Sequence, residues 1–232
     1  MTEIYFVGGR LFLRTYNGTV FINNQAITLF EKEGEKIKRC QWADGSEIYE
    51  KYHDEEWGVP TYDDDILFEF LILEGFQAGL SWLTVLKKRE NFRKAFDNFN
   101  ARKVANYGPK KIDALLKDTG IIRNKQKIQS AITNARAFLE VQKDVGSFSD
   151  YMWSFMGGKP LVNQWKKMKQ IPAKTELADI ISRDLKARGF KFVGPTIVYA
   201  HMQATGMVND HVVGCFRHKE VQDTMIFSSS GI

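Results

Sequence analysis

Apolar and polar positions change their rhythm along the chain, and the change predicts two kinds of structure. Residues 1–36 alternate, in Ile4-Tyr5-Phe6-Val7, Leu11-Phe12-Leu13, Arg14-Thr15-Tyr16 and Thr19-Val20-Phe21, with Asn17-Gly18 as a hairpin signal between the last two. They end in Glu31-Lys32-Glu33-Gly34-Glu35-Lys36, a linker whose charges nearly cancel. Beyond it the rhythm is helical. Asp63-Asp64-Asp65 supplies a cap and negative charge to a helix whose residues 66–73 are apolar on almost every side except Glu69, the mark of a buried helix. An amphipathic, basic helix is expected over 84–96, and two more over 109–117 and 125–142, their Lys and Arg forming mostly a solvated face. A capped helix over 175–188 then leads through Gly189-Phe190-Lys191-Phe192-Val193-Gly194-Pro195 into a helix over 196–205, with Gly and Pro punctuating a tight helix-hairpin-helix. The expected organisation is a β-rich extension (1–36), an all-α body (37–218) and a tail (219–232).

Composition supports a real core, at 44% hydrophobic and 13% aromatic residues over 232 positions. No apolar run approaches the roughly 20 residues needed to span a bilayer, and the N-terminus lacks a signal-peptide layout, so a cytoplasmic location without membrane association is expected. A net charge of +5 favours a polyanionic partner.

The stretch from Cys40 to Trp82 concentrates a Cys, a His, aromatic side chains and the carboxylate Glu74 at the end of the apolar helix. Aromatic faces suit a flat or cationic ligand, and one buried acid fixes its orientation. The structural alternative for Glu74 is a salt bridge to Lys87, Lys88 or Arg89. At the hairpin, free N–H groups and the dipole of the second helix suit one DNA phosphate, with Lys186, Arg188 and Lys191 adding charge. Cys40 and Cys215 each have a His at ligand-like spacing, with twelve residues between Cys40 and His53 and three between His211 and Cys215. Two thiolates and two imidazoles could close a structural zinc site. Inert buried thiols, a disulfide, or His218 in place of His211 are the alternatives.

Ordered blocks then carry a resemblance. Cys40-x-Trp42, Tyr49-x-x-Tyr52-His53-Asp54-x-Glu56-Trp57-Gly58-Val59-Pro60, Leu73-Glu74-Gly75-x-Gln77-Ala78-Gly79-Leu80-Ser81-Trp82 and Lys87-Lys88-Arg89-Glu90-Asn91 resemble the DNA-3-methyladenine glycosylase I family. So do Gly120-Ile121-Ile122-Arg123, Arg188-Gly189-Phe190-Lys191-Phe192-Val193-Gly194 and Val208-Asn209-Asp210-His211-Val212-Val213-Gly214-Cys215, and the resemblance spans about residues 38–216. It implies an all-α member of the helix-hairpin-helix glycosylases with zinc at Cys40, His53, His211 and Cys215. It also implies a flipped-base pocket of Glu74, Tyr49, Tyr52 and Trp82, walled by Trp42 and Trp57. Gln77, Gly79 and Leu80 match the family's duplex-entering loop, and Gly189, Lys191 and Gly194 its DNA-binding hairpin. Phe76 departs from the polar residue frequent there, which bears on loop packing rather than chemistry.

The implied activity is a monofunctional DNA repair glycosylase acting on double-stranded alkylated DNA as a monomer and releasing free 3-methyladenine. An alkylated adenine is cationic in the nucleotide and leaves as a neutral base, so no strong general acid is needed. Many enzymes of this superfamily place an Asp just after the hairpin. Here Asn209 cannot be a base and Asp210 is one residue out of place, so no residue is assigned to water. Two other classes fit less well: a damage-binding module without turnover, which Glu74 opposes, and a zinc-stapled binder of a cationic metabolite, which the basic hairpin opposes.

Overall fold

In the computed structural model the backbone is described over residues 3–7, 10–14, 19–22, 25–28 and 37–228, and side chains over 37–222. The chain forms two compact units, Met1–Ile37 and Lys38–Ile232. In the first, β1 (Glu3–Val7) pairs antiparallel with β2 (Arg10–Arg14), and β3 (Thr19–Ile22) with β4 (Gln25–Thr28). The hairpin expected at Asn17-Gly18 would have joined β2 to β3; each instead pairs with its other neighbour. Within each pair only two residues separate the strands in sequence. Asn17-Gly18 lies outside the described residues.

The second unit is helical: α1 (Glu47–Glu55), α2 (Asp64–Gln77), α3 (Trp82–Leu86), α4 (Arg89–Ala95), α5 (Ala101–Ala105), α6 (Pro109–Lys117), α7 (Lys125–Val145), α8 (Phe148–Ser154), α9 (Glu176–Ala187), α10 (Pro195–Ala204) and α11 (Phe216–Ser228). A short parallel pair joins β5 (Leu161–Val162) to β6 (Val208–Asn209). α2 is the central helix. Its residues from Leu67 to Phe76 are all buried, with Phe68 packed on Phe138 of α7 (4.8 Å between ring centres) and Phe76 on Phe92 of α4 (4.8 Å). Each such side chain contributes about 1.5–3 kcal/mol when fully buried.

Two of the three aspartates divide the work. Asp63 Oδ1 accepts from the N–H groups of Asp65 (2.8 Å) and Ile66 (3.1 Å), capping its own helix. Asp64 accepts from the Phe148 and Ser149 N–H groups and from Gln142 Nε2, so it locks the start of α8 and the end of α7 onto α2.

The helix expected over 84–96 is two helices. Ser81 caps α3, accepting from Thr84 N–H, and the chain turns at Lys87-Lys88, where Lys88 Nζ donates to the carbonyls of Thr119 and Gly120. That tertiary tie outweighs the local helical rhythm. α7 runs on to Val145 and stops at Gly146, whose φ of +107° favours glycine. α11 passes through residue 219, the expected start of a tail.

After α10 the chain crosses the 58–61 turn at close range. Gly58 N–H donates to the Gln203 carbonyl (2.9 Å) and Thr61 N–H to that of Thr205 (3.1 Å). A Cβ on Gly206 would fall 2.2 Å from backbone atoms of Val59 and Pro60, so only glycine fits.

Candidate active site

Segment 42–57, α2, α3, α10 and the loop before α9 enclose a cavity of about 390 Å³. Trp42, Tyr49, Tyr52, Trp57 and Trp82 give aromatic walls, Glu74 and Gln77 come from α2, and Met168 and Ile171 from the loop. α10 adds Thr196, Ile197, Ala200 and Gln203, none of which periodicity singled out. The rings brace one another, with Trp42 edge-on to Tyr49 (5.4 Å) and Trp57 (5.1 Å), and Tyr52 tilted against Trp82 (5.6 Å). Tyr49 Oη accepts from the Leu83 N–H at 2.9 Å, which fixes α1 against α3.

Glu74 is 4% exposed and has no hydrogen-bond or ion-pair partner among the described residues. Burial alone pushes its carboxyl up to about 8. The salt bridge weighed from sequence is not made. Arg89 pairs with Glu69 and Glu56, Lys88 is tied to carbonyls, and Lys87 is exposed. α2 also continues three residues beyond Glu74, so the carboxyl sits within the helix, not at its solvent-facing end. Burial, then the Glu74 charge, push the Tyr52 hydroxyl well above its usual range.

Gly79 and Leu80 do not line the cavity; they form the turn between α2 and α3. Gln77 Nε2 donates to the Leu80 carbonyl (2.7 Å), Gly79 has φ +81°, and the Leu80 side chain is 40% exposed. Lys127, read from sequence as part of a solvated face, is buried beneath this turn and donates to the carbonyls of Phe76 (2.9 Å) and Ala78 (2.5 Å). It satisfies carbonyls that the end of α2 leaves open.

Gly189, Lys191 and Gly194 lie together in the α9–α10 turn, with Gly189 at φ +92° and Gly194 capping α10. The Lys191 side chain is exposed, but its N–H donates to Asn134 Oδ1 (2.7 Å) and its carbonyl accepts from Asn134 Nδ2 (2.9 Å). That N–H is therefore unavailable to a phosphate. The N–H groups of Val193 and Gly194 meet no acceptor among the described residues.

Cys40, His53, His211 and Cys215 form one buried cluster whose ligand atoms all lie within 4.8 Å of one another. His53 Nε2 is 3.2 Å from His211 Nδ1, Cys215 Sγ is 3.4 Å and 3.5 Å from those two nitrogens, and Cys40 Sγ is 3.7 Å from His211 Nδ1. A tetrahedral ion with ordinary metal–nitrogen and metal–sulfur bonds needs edges of about 3.3–3.8 Å; these four distances match it to within about 0.1 Å and the widest separation in the cluster, 4.8 Å, exceeds it by about 1 Å, so the donor types fit and the spacing is close to that of a site. Asp54 Oδ1, 2.8 Å from His53 Nδ1, and the Trp57 carbonyl, 2.9 Å from His211 Nε2, orient the rings. Both cysteines are free thiols, and His218 lies outside the cluster with Nε2 2.9 Å from the Asn163 carbonyl.

Asp210 is fully buried and accepts from Asn163 Nδ2, Trp165 Nε1, Tyr199 Oη and Gln203 Nε2 at 2.6–2.7 Å. Those donors occupy all its lone-pair sites. Asn209 bridges the His218 carbonyl and the His211 N–H.

The sequence profile described as methyladenine glycosylase matches residues 42–218. The chain belongs to the methyladenine glycosylase family. It is 51% identical to DNA-3-methyladenine glycosylase 1 of Escherichia coli (strain K12) over 179 residues, covering 77% of this chain and 96% of that protein. It is 46% identical to the Haemophilus influenzae DNA-3-methyladenine glycosylase over 177 residues, or 76% and 96% of the two chains. Among solved structures, a 3-methyladenine DNA glycosylase I superposes with TM-score 0.75 at 50% identity, covering 77% of this chain and 98% of the other. The Staphylococcus aureus 3-methyladenine DNA glycosylase I, solved for its recognition of 3-methyladenine, does so with TM-score 0.75 at 36% identity, over 78% and 96%. The methyladenine glycosylase match takes in the cavity residues from Trp42 to Gln203 and His53, His211 and Cys215 of the cluster; Cys40 lies just before it.

Proposed function

We propose that this protein is a DNA-3-methyladenine glycosylase of base excision repair, which binds double-stranded alkylated DNA, turns the damaged adenine into the aromatic cavity and hydrolyses its N-glycosidic bond. The observation that carries this reading is Glu74, an uncompensated carboxyl in a cavity walled by five aromatic side chains, in a chain of this family. A cationic base gains from the π faces of Trp82, Tyr52 and the other rings, and from a carboxylate that accepts hydrogen bonds from its edge. A neutral adenine gains neither in full.

When the C1′–N9 bond breaks, its electron pair moves to the base, which departs as neutral 3-methyladenine. Water adds at C1′ and its proton passes to solvent, leaving an abasic site. Because the leaving group is already charged, little general acid is required. Asp210 and Asn209 are committed to structural bonds, so no water-activating role is given to them. Glu74 stabilises positive charge on base and sugar.

The turn at Gly79-Leu80 enters the duplex in place of the extruded base, supported by Lys127 and Gln77. The α9–α10 turn acts as a helix-hairpin-helix, offering the Val193 and Gly194 N–H groups and the Lys191 ammonium to backbone phosphate. A zinc ion held by Cys40, His53, His211 and Cys215 would be structural, since four protein ligands leave no open position for water. The protein acts as a cytoplasmic monomer; no helix among its described residues is long and apolar enough to cross a membrane.

Incubating the protein with methylated duplex DNA and separating released bases tests the reading. Release of 3-methyladenine with accumulation of abasic sites is expected; absence of any released base would overturn it.

A further inference from the structure

Gln203 stands on the cavity wall with its amide orientation dictated from behind. Its Nε2 lies 2.7 Å from Asp210 Oδ2, and a carboxylate saturated by three other donors can only accept from that position. The opposite amide orientation would set the Gln203 carbonyl oxygen against the Asp210 carboxylate, two acceptors face to face. The residue's backbone is held as well, its carbonyl accepting from Gly58 N–H at 2.9 Å. One Nε2–H is spent on Asp210, so Gln203 keeps its second Nε2–H and Oε1, an acceptor at a fixed position that meets no donor among the described residues.

The rest of the α10 wall does not compete for this role. Ile197 and Ala200 carry no polar side-chain atom, and Thr196 has a hydroxyl that can donate or accept and so expresses no preference. Glu74 faces the same cavity from α2 but can present either a carboxylate or a carboxylic acid, because burial pushes it up to about 8. Gln203 is thus the one side chain among these whose acceptor is held at a fixed position by a neighbour.

Resting on the glycosylase reading above, we infer that Gln203, oriented by Asp210, is a specificity residue that accepts from the exocyclic amine of an alkylated adenine and turns away the corresponding guanine. An adenine offers an amino group at position 6, whereas a guanine offers a carbonyl oxygen there. Facing Gln203 Oε1, that oxygen would leave two buried acceptors unpaired, and such a mismatch discriminates more strongly than a missing contact. Asp210 is a positioning residue: it touches no substrate and acts by fixing where the Gln203 amide oxygen lies.

The test is the ratio of single-turnover release rates for 3-methyladenine and 3-methylguanine from one methylated duplex, an internal measure insensitive to the folded fraction. Gln203→Met keeps the length of the side chain and removes the acceptor, and the adenine preference should fall about tenfold, the fold-change of one neutral hydrogen bond. Gln203→Ala should give the same narrowing should the Met variant fold poorly. In Asp210→Asn the partner can itself donate, so the Gln203 amide is free to turn; the ratio should narrow without any change to Gln203, an effect that a purely structural Asp210 would not produce. A wild-type protein that releases 3-methyladenine, with variants that slow both bases equally, overturns the inference and leaves the activity standing. A wild-type protein that releases neither base overturns both.

Discussion

His211 Nε2 lies 2.9 Å from the Trp57 carbonyl oxygen, and the Trp57 ring, edge-on to the His211 imidazole at 4.6 Å, is part of the cavity wall. Trp42 makes the same connection through His53, at 5.4 Å between ring centres. The Cys/His cluster therefore backs directly onto the proposed base pocket, and it brings segment 40–57 together with segment 211–215.

Metal analysis of protein purified without chelator should find one zinc per chain. Removing it, or substituting His211→Ala, should lower the melting temperature by about 10 °C or more, because the ion joins distant parts of the chain. Binding of free 3-methyladenine, followed by tryptophan fluorescence, should weaken in parallel as Trp42 and Trp57 lose their backing. Unchanged binding in destabilised protein would separate the cluster from the pocket.

Glu74 should couple stability to pH. Its folded-state carboxyl is raised by burial to about 8 from an ordinary 4.5, so folding favours the protonated form. The associated stability is fully present below the unfolded value and is lost as pH rises through the folded one. Glu74→Gln should therefore melt higher than wild type near pH 8 and match it below about pH 4.5. Single-turnover release of 3-methyladenine should nevertheless drop by roughly one to two orders of magnitude, the worth of a charge-assisted bond of about 1.5–3 kcal/mol. A variant that loses stability while its excision rate stays intact would remove Glu74 from the site.

Lys127→Met should leave the Phe76 and Ala78 carbonyls without their donor, at a cost of about 1–3 kcal/mol. Since Lys127 supports the α2–α3 turn and not the cavity floor, excision from duplex DNA should fall more than affinity for the free base. Equal losses would argue that the turn does not enter the duplex.

DNA affinity should fall steeply with salt, since phosphate contacts release counterions. Lys191→Ala should weaken binding about equally on damaged and undamaged duplexes and make the salt slope shallower. Asn134→Ala should weaken it as well, although Asn134 is buried, because its amide holds both sides of the Lys191 peptide unit. A flat salt response would reject phosphate binding by the turn.

Gly206→Ala should destabilise the protein by about 3 kcal/mol or more, through a backbone clash and a left-handed conformation together. Its Cβ would meet Val59 and Pro60 backbone atoms at 2.2 Å with φ at +69°. Chemical denaturation measures the loss directly.

The sequence alone determined those features whose cause is local. The apolar run on α2, the caps at Asp63 and Thr175, Pro195 at the start of α10 and the helical rhythm of α6 and α7 are written in adjacent residues, and they read correctly. The motif blocks also placed the chain in its family, since residue identity at fixed spacing survives without coordinates. Roles that depend on what arrives from elsewhere were decided only by tertiary structure. Lys127 looks like any solvated lysine until the carbonyl end of α2 is laid over it. Asp210 looks like a displaced catalytic acid until Asn163, Trp165, Tyr199 and Gln203 converge on its oxygens. Gln203 gains a direction only through Asp210, and Glu74 became an unpaired buried acid only because Arg89 turned towards Glu69 and Glu56. Local rhythm fixes which face a residue occupies, but desolvation and hydrogen-bond partners are properties of packing, and these set the chemistry of a buried polar group.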